Sequence, residues 1–218
     1  VQRDGSRASP DPRIPPRAWR AAQAAAAGHA GDERTARELL GDRDPLVRAT
    51  ALAALVRMDR ATSADGGRAV ADVDPLVRRR AAELAPGLPG ADYVPLLDDE
   101  DPLVVEAACF ALGEAVPSCA GERRQAVEAL ASVATGHGDS RCRESAVAAL
   151  GAVGDPAGLP AVLHALGDRP PVRRRAVLAL AAFEGPEVDE ALRRALADRD
   201  LQVRQAAEDL LSDDVPER

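Results

Sequence analysis

Apolar side chains recur at steps of three and four along most of this chain, and each run opens on the same polar phrase. Val47, Ala51, Ala54, Leu55 and Met58 fall at i, i+4, i+7, i+8 and i+11, which is one face of a helix. The stripe returns as Val77, Ala81 and Leu84; as Val104, Ala108, Ala111 and Leu112; as Val172, Ala176, Ala179 and Leu180; and as Val203, Ala207, Leu210 and Leu211. In a further copy Cys142 takes the valine place, ahead of Ala146, Ala149 and Leu150. The phrase is Asp-Pro-Leu-Val-Arg, complete at Asp44–Arg48 and at Asp74–Arg78. At Asp101 it reads Asp-Pro-Leu-Val, with Val105 in the arginine place. Degenerate copies lie at Asp139–Arg143, Arg169–Arg173 and Asp200–Arg204. The aspartate suits a helix N-cap, where it accepts from free N–H groups of the first turn. Proline suits the next place, because its missing N–H has no partner there.

The phrase starts at 44, 74, 101, 139, 169 and 200, giving steps of 30, 27, 38, 30 and 31. Such a unit holds two helices of about 10–12 residues and two short turns, and is too short for the four strands of a propeller blade. Candidate first helices precede each phrase: Asp32–Leu40, Ser63–Ala71, Asp92–Leu97, Gly121–Ala134, Pro156–Leu166 and Pro186–Ala197. The second contains Gly66 and Gly67, which weaken it. Arg17–Ala27 reads as a helix capping the first pair, and it carries the only tryptophan, Trp19. Val1–Pro16, with Pro10, Pro12, Pro15 and Pro16, reads as a flexible arm, and Ser212–Arg218 as a polar tail. The pattern therefore predicts an all-α fold over residues 17–211.

These residues carry a family resemblance. Asp-Pro-x-Val-Arg-x-x-Ala-x-x-Ala-Leu is similar to the second helix of the short HEAT-like repeats of phycobilisome lyase subunits and many bacterial proteins. Gly151–Leu180 resembles one whole repeat, and the resemblance spans Asp32–Leu211. It implies a right-handed α-solenoid of about six helix pairs. A solenoid buries a continuous strip between neighbours rather than one round core.

Composition narrows the setting. Every basic side chain is arginine, lysine and asparagine are absent, and there is one isoleucine; the bias reads as GC-rich bacterial codon usage, while the arginine excess itself is read first as suiting helix surfaces. The net charge of −8 disfavours nonspecific binding to nucleic acid or to anionic membranes. No stretch approaches the roughly 20 apolar residues of a membrane span. Cys109, Cys119 and Cys142 are odd in number and lack Cys-x-x-Cys spacing, which fits a reduced cytoplasm.

Catalytic signals are weak. His29, His137 and His164 have no histidine or cysteine at i+3 or i+4, and His29 and His137 sit among glycines. HEAT-like deoxyhypusine hydroxylases bind iron through His-Glu pairs, whereas here Ala30, Gly138 and Ala165 follow the histidines. Cys109 and Cys142 fall on or beside the apolar stripe, and Cys119 lies in the Pro117–Gly121 loop with no cationic group to activate it. No catalytic residue, metal site or cofactor is expected.

Two sets of side chains remain. Arg48, Arg78, Arg143, Arg173 and Arg204 form a series in which each arginine can reach the aspartate-bearing turn of a neighbouring repeat. Val105 interrupts it, so one junction should lack the pair. The other set differs from copy to copy: Arg79, Arg80, Glu106, Phe110, Glu144, Arg174 and Arg175. Stacking does not require their identities. In solenoids similar to this one the second helices line the concave side, where these residues would meet a partner. The reading is a non-enzymatic scaffold, monomeric, holding another protein on that face. The alternatives are a nucleic-acid-binding relative of the HEAT-like alkylpurine DNA glycosylases, disfavoured by the acidic balance and few aromatics, and a bilin-lyase-like subunit.

Overall fold

The computed structural model describes residues 16–115 and 119–213. The arm, apart from Pro16, and the last residues of the tail lie outside them. All regular elements among the described residues are helical. They are α1 (Pro16–Ala30), α2 (Glu33–Leu39), α3 (Pro45–Arg57), α4 (Ser63–Val70), α5 (Pro75–Glu83), α6 (Pro102–Glu114), α7 (Ala120–Gly136), α8 (Ser140–Val153), α9 (Leu159–Ala165), α10 (Pro170–Ala179), α11 (Pro186–Ala195) and α12 (Leu201–Asp213). The chain divides into two compact units, one of residues 1–81 and 87–90, the other of residues 82–86 and 91–218.

All six phrases start a helix within one residue. Asp44, Asp101 and Asp139 are N-caps with extended backbones, and their carboxylates accept from the N–H two residues on. Asp74 and Asp200 make the same bond to Leu76 and Gln202. Arg169 caps α10 without a side-chain bond. The stripe is the core. Val47, Val77, Val104, Cys142, Val172 and Val203 are buried, each with the alanine four residues later.

First helices follow the prediction less evenly. Glycines notwithstanding, α4 forms, because Thr62 and Asp65 cap it reciprocally. Asp65 is buried and also accepts from Arg37 and Arg68. Asp92–Leu97 was expected to be an α-helix. The chain instead makes a 3₁₀ turn over Val94–Asp98, since the 27-residue step leaves too few residues for a full helix. Pro156–Leu166 likewise begins as a 3₁₀ turn, Pro156–Gly158, before α9.

In the first unit α1 lies against α2 and α3. In the second, α6 packs on α8, α8 on α10 and α10 on α12, while α7 packs on α8 and α9. Second helices thus stack side by side on small residues. A Cβ on Gly151 of α8 would come within 2.8 Å of Ala179 Cβ on α10, and one on Gly113 of α6 within 3.3 Å of Ala149 Cα on α8.

Candidate functional site

The arginine series builds a ladder with a fixed bond pattern. Arg48 donates through Nε and Nη2 to the Asp72 carboxylate at 2.9 and 2.7 Å, and through Nη1 to the Asp42 carbonyl at 2.9 Å. Arg143 grips Asp168 at 2.6 and 2.8 Å and reaches back to the His137 carbonyl at 2.7 Å. Arg173 holds Asp198 at 2.9 and 2.7 Å and the Asp168 carbonyl at 2.8 Å. Arg78 and Arg204 make the backward bond, to the carbonyls of Asp72 and Asp198. Arg48, Arg143 and Arg173 therefore each tie their own turn to the next one, with planar two-point geometry that lysine cannot supply.

The acceptor is the aspartate two residues ahead of the capping aspartate in most repeats. It also accepts an N–H of its own turn, as Asp42 does from Asp44 and Asp72 from Asp74. Arg143 beside Asp168, and Arg173 beside Asp198, hold those carboxyls below the ordinary aspartate value against the opposing effect of burial. Sequence reasoning missed one rung. Arg20 of α1 grips Asp42 at 2.6 and 3.1 Å, so the capping helix supplies the first pair itself. These arginines are structural.

The variable set behaves differently. Phe110 is 52% exposed on α6. It borders a cleft of about 150 Å³ whose other lining residues include Gly113, Glu114, Ser145, Ala148, Ala149 and Ala152. A second cleft, of about 340 Å³, shares Ala148 and Ala152 and continues over Gly151, Ala179, Arg175 and Leu178. Phe110, Ala148 and Leu178 each stand nine residues after their phrase begins, so two exposed large side chains flank a small one. Glu144 and Arg175 pair across α8 and α10 at 3.5 Å, and Arg174 is exposed. The structure thus gathers Glu106, Phe110, Glu144, Arg174 and Arg175 on neighbouring second helices of one unit. Arg79 and Arg80 hold the corresponding places on α5 in their own repeat; Arg79 is exposed and Arg80 half-buried.

The remaining chemical candidates stand apart. Among the described residues no three His, Cys, Asp or Glu side chains gather as metal ligands. His29 lies in the last turn of α1, not in a glycine turn as the sequence implied, and His164 is exposed on α9. His137 accepts the Asp139 N–H through Nδ1 at 3.1 Å. Cys109 and Cys142 are buried, and burial pushes their thiols up to about 12 and about 11. Cys119 is exposed and stands at the N-cap of α7. Among the described residues no helix is long and apolar enough to cross a membrane.

Paired helices stacked through an Asp–Arg ladder define an armadillo-like α-solenoid. HEAT repeats match residues 90–171 and 127–212, just over half of the chain, and the chain belongs to the HEAT-repeat family. The match is to HEAT repeats as a class and does not single out the phycobilisome-lyase-like type. No curated protein matches. Among solved structures, YibA of Escherichia coli is similar at 15% identity and a TM-score of 0.55, over 94% of this chain and 77% of that one. Human deoxyhypusine hydroxylase is similar at 22% identity and a TM-score of 0.47, over 88% and 78%. A designed armadillo repeat protein is similar at 18% identity and a TM-score of 0.46, over 94% and 95%. At these identities the likeness is one of fold.

Proposed function

We propose that this protein is a non-enzymatic scaffold that holds another protein against the second-helix face of α6, α8 and α10. The observation that supports it most is the exposure of Phe110 beside a cleft floored by small side chains. A chain with two Phe, one Tyr and one Trp leaves this large apolar side chain in water, next to a surface shaped to receive a side chain. Arg174, Arg175 and Glu144 give the face charges of both signs, which select a partner's register more than they add affinity. Arg79 and Arg80, on α5 of the other unit, are proposed as partner contacts within that unit. The ladder arginines favour this reading over phosphate binding, because Arg143 and Arg173 donate to aspartates. The setting proposed is the cytoplasm.

The test is site-specific photo-crosslinking with p-benzoylphenylalanine at positions 110, 174 and, on the outer helix α11, 193. The partner is then purified and titrated against the parent and against Phe110→Ala/Arg174→Glu/Arg175→Glu. Crosslinks at 110 and 174, and at least about a tenfold loss of affinity with helix content intact, are expected. Crosslinks at 193 alone, or unchanged affinity, place the contact elsewhere.

A further inference from the structure

The cleft beside Phe110 has an electrostatic asymmetry that points to its occupant. Glu106 and Glu114 lie four residues either side of Phe110 on α6, so all three share one helix face. Neither carboxylate has an ion pair among the described residues. Arg141 lies within the field of Glu106, but its guanidinium is bound to Asp139 at 3.0 Å. The next helix shows what is missing. Glu144 holds on α8 the place that Glu106 holds on α6, five residues after the phrase begins. Its cation is Arg175, six residues after the phrase on α10, at 3.5 Å. The residue six after the phrase on α8 is Ser145, and Ser145 lines the cleft. A short hydroxyl therefore stands where the neighbouring junction has a guanidinium, and the space is open.

We infer that the cleft seats an arginine side chain of the partner protein, its stem on the Ser145–Ala148–Ala149 floor and its guanidinium between the Phe110 ring and Glu106. Glu114, at the cleft wall, supplies a second carboxylate within the same seat. The inference rests on the proposed interaction face and assigns its occupant. Three features converge on it. The ring offers a π-face at which a weakly hydrated planar cation stacks better than an ammonium. Ala148, Ala149 and Gly113 line a cleft of about 150 Å³, a volume that suits a slender unbranched stem. The carboxylates make the seat negative in a protein of net charge −8, so a cation is also steered toward it.

The test uses the full chain with ring-labelled phenylalanine. It has two phenylalanines, exposed Phe110 and buried Phe183, so the two rings report separately by NMR. The probes are a short capped peptide Ala-Leu-Arg-Leu-Ala and the same peptide with neutral citrulline for arginine. The arginine peptide should shift the Phe110 ring signals saturably and leave those of Phe183 in place. Citrulline should weaken binding at least about fivefold. Glu106→Gln/Glu114→Gln, whose helix content is checked by circular dichroism, should lower the arginine peptide to the citrulline level. Equal titration by the two peptides, an unchanged titration in the double variant, or no Phe110 shift at about 10 mM peptide overturns the arginine seat. Equal titration that still moves Phe110 leaves the interaction face standing. Crosslinking at 193 alone removes that face, whatever the peptides do.

Discussion

Val105 on α6 and His137 in the turn before α8 hold, by register, the arginine place of one repeat and the aspartate place of the next, and neither is the residue found there in the other repeats. Val105 is fully buried where Arg48, Arg143 and Arg173 grip a carboxylate. His137 stands where Asp42, Asp72 and Asp198 stand, and its Nδ1 accepts the turn N–H that their carboxylates accept. Both partners are exchanged together, so no unpaired charge is left inside.

The rung can be restored. Val105→Arg alone should destabilise the protein by about 3 kcal/mol or more, because it buries a guanidinium with no carboxylate. Val105→Arg with His137→Asp should recover at least half of that loss in urea unfolding. A double variant no more stable than the single would show that the two places do not meet as the ladder implies.

Neighbouring arginines on one helix should differ sharply. Arg173 is buried and holds Asp198, whereas Arg174 is exposed. Arg173→Ala should cost about 2–4 kcal/mol, by stranding Asp198. Arg174→Ala should stay within about 0.5 kcal/mol of the parent. Thermal melts of the two variants decide it.

Acid should act through the same pairs. The carboxyls of Asp42, Asp168 and Asp198 are held below the ordinary aspartate value by Arg20, Arg143 and Arg173, so the folded chain binds their protons later than the unfolded one. Their contribution is complete above the unfolded value of about 4 and is lost as pH falls through the lower folded values. Stability should therefore drop with pH below about 4, and Asp168→Asn should lessen the slope there. An identical slope in that variant would remove Asp168 from the account.

Two glycines should respond with opposite sign. Gly151→Ala puts a methyl 2.8 Å from Ala179 Cβ, forces α8 from α10 and should cost about 1–3 kcal/mol. Gly67 of α4 has open space at its Cβ position, so Gly67→Ala should gain about 0.5–1 kcal/mol. Denaturant midpoints of the two variants test both signs.

Tyr93 is buried, and its hydroxyl has no hydrogen-bond partner among the described residues. Burial pushes that phenol up to about 12. Tyr93→Phe should raise stability by about 1 kcal/mol, since the unsatisfied hydroxyl is removed and the ring kept. A loss of stability would mean that the hydroxyl has a partner in solution.

What the sequence made legible was whatever repeats. Asp44, Pro45 and Val47 announce a cap, a first turn and a buried stripe, because those roles depend on residues a few places apart. The second helices and their buried faces follow directly. Less was legible where a role depends on a neighbour distant in sequence. The arginines pointed to an aspartate-bearing turn, but the involvement of Arg20 needed the packing of α1. Phe110 and Phe183 are alike as letters, yet one is exposed and the other buried, and only the stacking of α6 on α8 separates them. The Ser145 gap beside Glu106 became visible only against the Glu144–Arg175 pair.

The ladder also bears on how such a chain tolerates rearrangement. A standard repeat presents an arginine forward and an aspartate backward, so copying, deleting or exchanging whole standard repeats leaves every rung matched. The Val105 and His137 repeats are keyed to each other. Move either one, and an arginine meets a histidine or an aspartate meets a valine. In a chain of otherwise interchangeable parts, that uncharged rung makes the order of two of them compulsory.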